Sequence, residues 1–115
     1  IRMYAEGQMP IPGVGICDTQ VYLTSHMTVW ATKDGSSRTV SNLIATAKVL
    51  QSGEVIGESI VHSTVVIVVP EWPYTSINQM DIKITLRGSG QVVNYHMIMV
   101  YEHGELVALH TIGMP

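Results

Sequence analysis

Residues 20–69 read QVYLTSHMTVWATKDGSSRTVSNLIATAKVLQSGEVIGESIVHSTVVIVV, and this stretch decides the fold. Runs rich in Val, Ile and Thr are separated by two glycine-bearing dipeptides, Asp34-Gly35 and Ser52-Gly53. β-Branched side chains lose rotamer freedom in a helix and pack well on a pleated sheet. Glycine after Asp or Ser supplies the positive φ that a tight hairpin requires. No segment keeps a helical apolar period, so the runs predict strands over 20–33, 38–50 and 55–69.

The pattern repeats downstream. Ser89-Gly90 and His103-Gly104 sit between β-rich runs at 81–87, 91–102 and 105–112. Pro70 and Pro73 cannot donate to a central ladder, which makes 70–80 the one long connection. Upstream, Pro10, Pro12, Gly13 and Gly15 punctuate residues 1–18. They predict a short strand near 2–6 and then an irregular segment. The expected architecture is one all-β domain over 1–115, an antiparallel meander of six or seven long strands. Closure as a small up-and-down β-barrel is expected, with a two-sheet β-sandwich as the alternative. Long strands coil, which favours closure.

Composition narrows the function classes. Only 13% of the 115 residues are charged and 46% are hydrophobic, against about 25% charged in an average soluble protein. That excludes a disordered chain. A net charge of −3 with six Lys+Arg lacks the basic footprint of a nucleic-acid binder. No apolar run approaches the roughly 20 residues of a membrane helix. The single cysteine, Cys17, excludes an intrachain disulfide and a cysteine-based zinc cluster. Ile1 in place of a starting Met points to a removed leader or a chain boundary, and the compartment stays open.

Two-residue loops at both first turns would set a register. His26 would face Leu43, which would face His62. Thr28–Ser41–Thr64, Trp30–Thr39–Val66 and Tyr22–Ala47–Glu58 would form further rows of the same face. That face gathers aromatic walls and polar handles, a mixture suited to a ligand cavity. In the second group of strands the expected core face holds Ile82, Ile84, Leu86, Val93, Tyr95, Met97, Met99, Tyr101, Leu106, Ala108, His110 and Ile112. The opposite face keeps an apolar middle, which points to cover by another subunit. His96 and His110 are expected on opposite faces.

The candidate acid–base groups are His26, His62, Tyr22 and Glu58. The candidate ligand-binding residues are Trp30, Thr28, Ser41 and Thr64, with Trp72 and Tyr74 on the long connection as a rim. Glu58 is too far along its strand from His62 for a shared ion, so no metal is expected. No phosphate loop, nucleophile elbow or paired zinc-ligand motif is present, and no cofactor is expected.

Three functions follow from these residues. The first is a small barrel holding an apolar or aromatic small molecule, with cofactor-independent isomerase or cyclase chemistry at the histidines and Tyr22. The second is a self-assembling structural β-protein, a filament or shell subunit, motivated by low charge and strands apolar on both sides. The third is a carbohydrate-binding module using Trp30, Trp72 or Tyr74. A homo-oligomer is expected, with no nucleic-acid partner and no membrane span.

Overall fold

A computed structural model describes residues 2–31, 37–69, 75–102 and 105–114. Seven antiparallel strands follow one another along the chain: β1 (Arg2–Ile11), β2 (Gly15–Ala31), β3 (Ser37–Gln51), β4 (Glu54–Val69), β5 (Thr75–Thr85), β6 (Val92–Glu102) and β7 (Glu105–Met114). Their ladders form two sheets, β1-β2-β3-β4 and β5-β6-β7. No helix occurs among the described residues. The body measures 55 × 20 × 18 Å, a length set by strands of up to 17 residues.

The N-terminal segment is more regular than its prolines suggest. In place of a short strand and an irregular stretch, β1 and β2 make a hairpin from Arg2↔Thr24 to Ile11↔Gly15. Gly13 and Gly15 take positive φ at 80° and 113°, and the Val14 amide donates to the Ile11 carbonyl at 3.0 Å. Pro10 and Pro12 are tolerated because β1 is a sheet edge and Pro12 sits in the turn.

The Ser52-Gly53 turn forms as its residues predict, with φ of 50° and 82°. The register beyond it differs. β3 and β4 pair as Gln51↔Glu54 and Leu50↔Val55, and then shift by one residue between Val49 and Leu50. Ile56 is the extra residue of this bulge. β2 and β3 pair as Ala31↔Ser37 and His26↔Asn42, one step from the expected His26–Leu43 pairing. An odd-numbered span between the strands replaces the expected even loop.

The two displacements cancel between β2 and β4. Even-numbered residues of β2 and β4 still share a face, as expected. The β3 partners are exchanged: Leu43, Ala45, Ala47 and Val49 turn to the core, and Asn42, Ile44, Thr46 and Lys48 turn outward.

In the second sheet, Thr85↔Val92 and Leu86 N donating to Gln91 O at 2.8 Å leave a wider turn around Gly88 and Gly90. The register moves by two residues, so every face is kept. Ile82, Ile84, Leu86, Val93, Tyr95, Met97, Met99, Tyr101 and Leu106 are all buried. Ala108 and His110 do not join them, and the side chain of Ile112 lies outside the described residues. A bulge between Tyr101↔Leu106 and Val100↔Ala108 makes Val107 the extra residue. Past it the strand changes phase, so Leu109 packs on the core and His110 is exposed.

The sheets face each other around this core. Met9, Ile11, Cys17, Val21, Leu23 and the β3 residues above pack against the β5, β6 and β7 residues just named. Thr19 Oγ1 and Tyr95 OH meet at 3.0 Å across the interior. Where β4 meets the end of β5, Arg87 N in the following turn donates to Ile56 O at 2.8 Å. Gly57 permits the approach: a Cβ there would lie 2.8 Å from Ile84 Cγ2 and 3.2 Å from the Thr85 carbonyl oxygen. The result is two antiparallel sheets around one core, with β4 beside β5 along one seam and β1 beside β7 along the other, an arrangement consistent with the expected small barrel and with a sandwich.

Candidate functional site

The long four-stranded sheet carries most of the predicted functional residues on its outer face. Tyr22, His26 and Thr28 project from β2 and Glu58, His62 and Thr64 from β4, all exposed. The expected cavity face is therefore solvent-facing, and the interior behind it is filled by side chains. His26 and His62 lie in different rows, Thr24–Ile44–His62 and His26–Asn42–Thr64. Two strand spacings and two residues put them roughly 12 Å apart at the backbone. Within the His26 row, Asn42 Oδ1 accepts from Thr64 Oγ1 at 3.1 Å.

Ser41 is on the other face, 1% exposed, with its hydroxyl hydrogen-bonded to that of Ser25. The one-residue displacement of β3 is the reason. Its neighbour across the sandwich is Tyr101, whose phenol burial pushes up, with the Ser41 hydroxyl pulling the other way. The Tyr101 hydroxyl is buried without a well-formed hydrogen bond among the described residues. Trp30 stands on β2 opposite Arg38, and its side chain lies outside the described residues. Trp72 and Tyr74 lie outside them altogether.

What surrounds Tyr22 and Glu58 was not legible as a site. Tyr22 packs on Tyr4 with ring centroids 4.7 Å apart and planes at 46°. Tyr4 OH donates to Glu6 Oε2 at 2.7 Å. That hydrogen bond, with some desolvation and the Glu6 charge, pushes the Tyr4 phenol up to about 12. Lys48 Nζ lies 5.9 Å from the Tyr22 ring centre and 3.9 Å from Glu58 Oε2. The ion pair is part-exposed, so it positions the lysine more than it stabilises the fold.

Two residues further along both strands the face becomes polar. Glu6 pairs with Gln20 and Gln8 with Asp18, and Gln8 Nε2 donates to Asp18 Oδ1 at 3.3 Å. These four residues, with Gly7, Thr19, Leu50 and Gly53, line an open groove of about 450 Å³. The signal in the sequence was the alternation Tyr4, Glu6, Gln8 against Asp18, Gln20, Tyr22. It becomes readable once 1–18 is seen to be a hairpin.

The outer face of the smaller sheet holds a second polar cluster. His96 Nδ1 lies 2.6 Å from Asp81 Oδ1 and His96 Nε2 lies 2.8 Å from Gln79 Oε1. His110 shares this face, opposite Ile98, because of the Val107 bulge. The expectation that His96 and His110 lie on opposite faces is thereby corrected. Both nitrogens of His96 are engaged in fixed bonds, so the ring is held rather than presented.

Protein-family models, curated proteins and solved structures give no match to this chain. Among the described residues, no helix is long and apolar enough to cross a membrane.

Proposed function

We propose that the chain is a structural β-subunit that associates with further copies of itself through its outer sheet faces. The observation that carries this reading is the exposure of large apolar side chains on both outer faces of a two-sheet body whose interior is already filled. Ile60 and Val66 are each 56% exposed on the larger sheet and Ile77 is 63% exposed on the smaller one. Single exposed apolar residues are ordinary; aligned ones on opposite faces of a chain with few charges favour burial against a partner.

A second copy is the favoured occupant because a net charge of −3 sets up little self-repulsion.

Sedimentation velocity across a hundredfold concentration range, with negative-stain microscopy, tests this. Assemblies larger than a monomer are expected, and Ile60→Lys with Ile77→Lys should shift them to monomer while the β-sheet circular dichroism is kept. A wild-type chain that stays strictly monomeric at the highest concentration would overturn the reading.

A further inference from the structure

We propose that the outer face of β1 and β2, from the Tyr4–Tyr22 pair to the Gln8–Asp18 pair, is a binding site for a neutral glycan chain. The site is separate from Ile44 and Ile60, which lie on β3 and β4 of the same sheet face. Four residues of strand separate Tyr4 from Gln8, roughly 13 Å, about the length of two or three hexose rings.

The aromatic end is a fixed platform. Tyr4 and Tyr22 are 47% and 46% exposed, so each ring offers one side to solvent. Their tilt is held by mutual packing, by the Tyr4 hydroxyl bond to Glu6 and by Lys48 beside Tyr22. Aromatic rings in such positions stack on the apolar face of a pyranose, and a pre-positioned ring loses little freedom on binding. The platform is also electrically quiet, since a Tyr4 phenol at about 12 stays neutral at physiological pH.

The polar end matches hydroxyl groups. Gln8 and Gln20 each carry a donor and an acceptor, and Glu6 and Asp18 are acceptors. Glu6 uses Oε2 for Tyr4, and Asp18 uses Oδ1 for Gln8. The second oxygen of each takes no hydrogen bond among the described residues. The lining contains two carboxylates and neither lysine nor arginine. Lys48, the nearest cation, is drawn toward Glu58 on the far side. An anionic ligand, whether phosphate, nucleic acid or sulfated sugar, is therefore disfavoured. The groove is partly open to solvent, as a chain ligand needs, and Leu50 is the one large apolar residue among the eight that line it.

An array carrying neutral, sialylated and sulfated glycans, with an octalysine peptide as a spot, tests the assignment. Binding is expected on neutral glycans only. Tyr4→Ala and Tyr22→Ala should each weaken it by about tenfold, the scale of one stacking contact. Tyr22→Phe, which keeps the ring, should bind within twofold of wild type, and Gln79→Ala on the other sheet should bind as wild type does. Circular dichroism confirms that each variant is folded. No glycan binding, binding to anionic glycans or octalysine alone, or neutral-glycan binding that survives both tyrosine-to-alanine changes would overturn the proposal.

Discussion

Replacing Gly57 by alanine puts a methyl carbon where β4 and β5 touch. The new atom would lie 2.8 Å from Ile84 Cγ2, 3.0 Å from Leu86 Cδ2 and 3.2 Å from the Thr85 carbonyl oxygen. The first two neighbours are side chains in a filled core, and the third is backbone, so none yields freely. Overpacking of this kind costs about 1–3 kcal/mol. Alanine restricts the unfolded chain more than glycine does, which offsets about 0.4–1 kcal/mol. The expected net destabilisation is about 1–2 kcal/mol, or roughly 4–8 °C in Tm for a chain of this size. Urea unfolding at fixed protein concentration measures it.

Ile84→Leu removes the clashing branch at little change in volume. The double variant should be less destabilised than the two single changes added together, by about 1 kcal/mol. A Gly57→Ala chain as stable as wild type, or more stable, would refute the close approach at this corner. It would leave only the unfolded-state entropy effect and imply that the two sheets stand further apart there.

Three other outcomes are expected. Thr19→Val should cost about 1–3 kcal/mol in urea unfolding by leaving the Tyr95 hydroxyl buried without its partner, and adding Tyr95→Phe should recover much of the loss. Ser52→Asn should stabilise the β3–β4 turn by about 0.5–1 kcal/mol, because asparagine tolerates the positive φ at this position better than serine. Spectrophotometric alkaline titration should show a late tyrosine that Tyr4→Phe removes. The neutral Tyr4 phenol is favoured by its bond to Glu6, so its contribution to stability is complete below pH 10 and is lost as the pH rises through about 12.

The strands and most turns were legible because local chemistry specifies them. Valine, isoleucine and threonine mark the runs, and Ser52-Gly53 and Ser89-Gly90 mark the reversals. Register was harder. A strand with one polar face announces its register, since a one-residue slip buries charge. β3 has a polar face, with Arg38, Asn42 and Lys48, but Ile44 and Leu50 interrupt it, so loop length decides the expected register, and the Ala31↔Ser37 pairing and the Ile56 bulge each move it by one residue. The second sheet was easier, because Lys83 and Arg87 oppose a clean apolar set. The polar groove was missed for a different reason. Its residues come from β1 and the start of β2, where Pro10, Pro12 and two glycines suggested irregular chain rather than a hairpin edge. The hydrogen bonds from Tyr4 to Glu6 and from Gln8 to Asp18 depend on that hairpin and on nothing more distant.

The Val107 bulge stores the orientation of β7 in a residue count rather than in residue identity. Deleting that one residue would join Leu106 directly to Ala108 and close the ladder as unbroken alternation, with Leu109 still on the core and His110 still outside. The bulge therefore works as one residue of slack in the strand. Loss of a single codon beside it consumes the slack and keeps the message on each face. Gain of a single codon finds no slack to consume, and acts on this strand as a frameshift acts on a gene unless a second bulge forms: each amino acid is kept and its face is inverted.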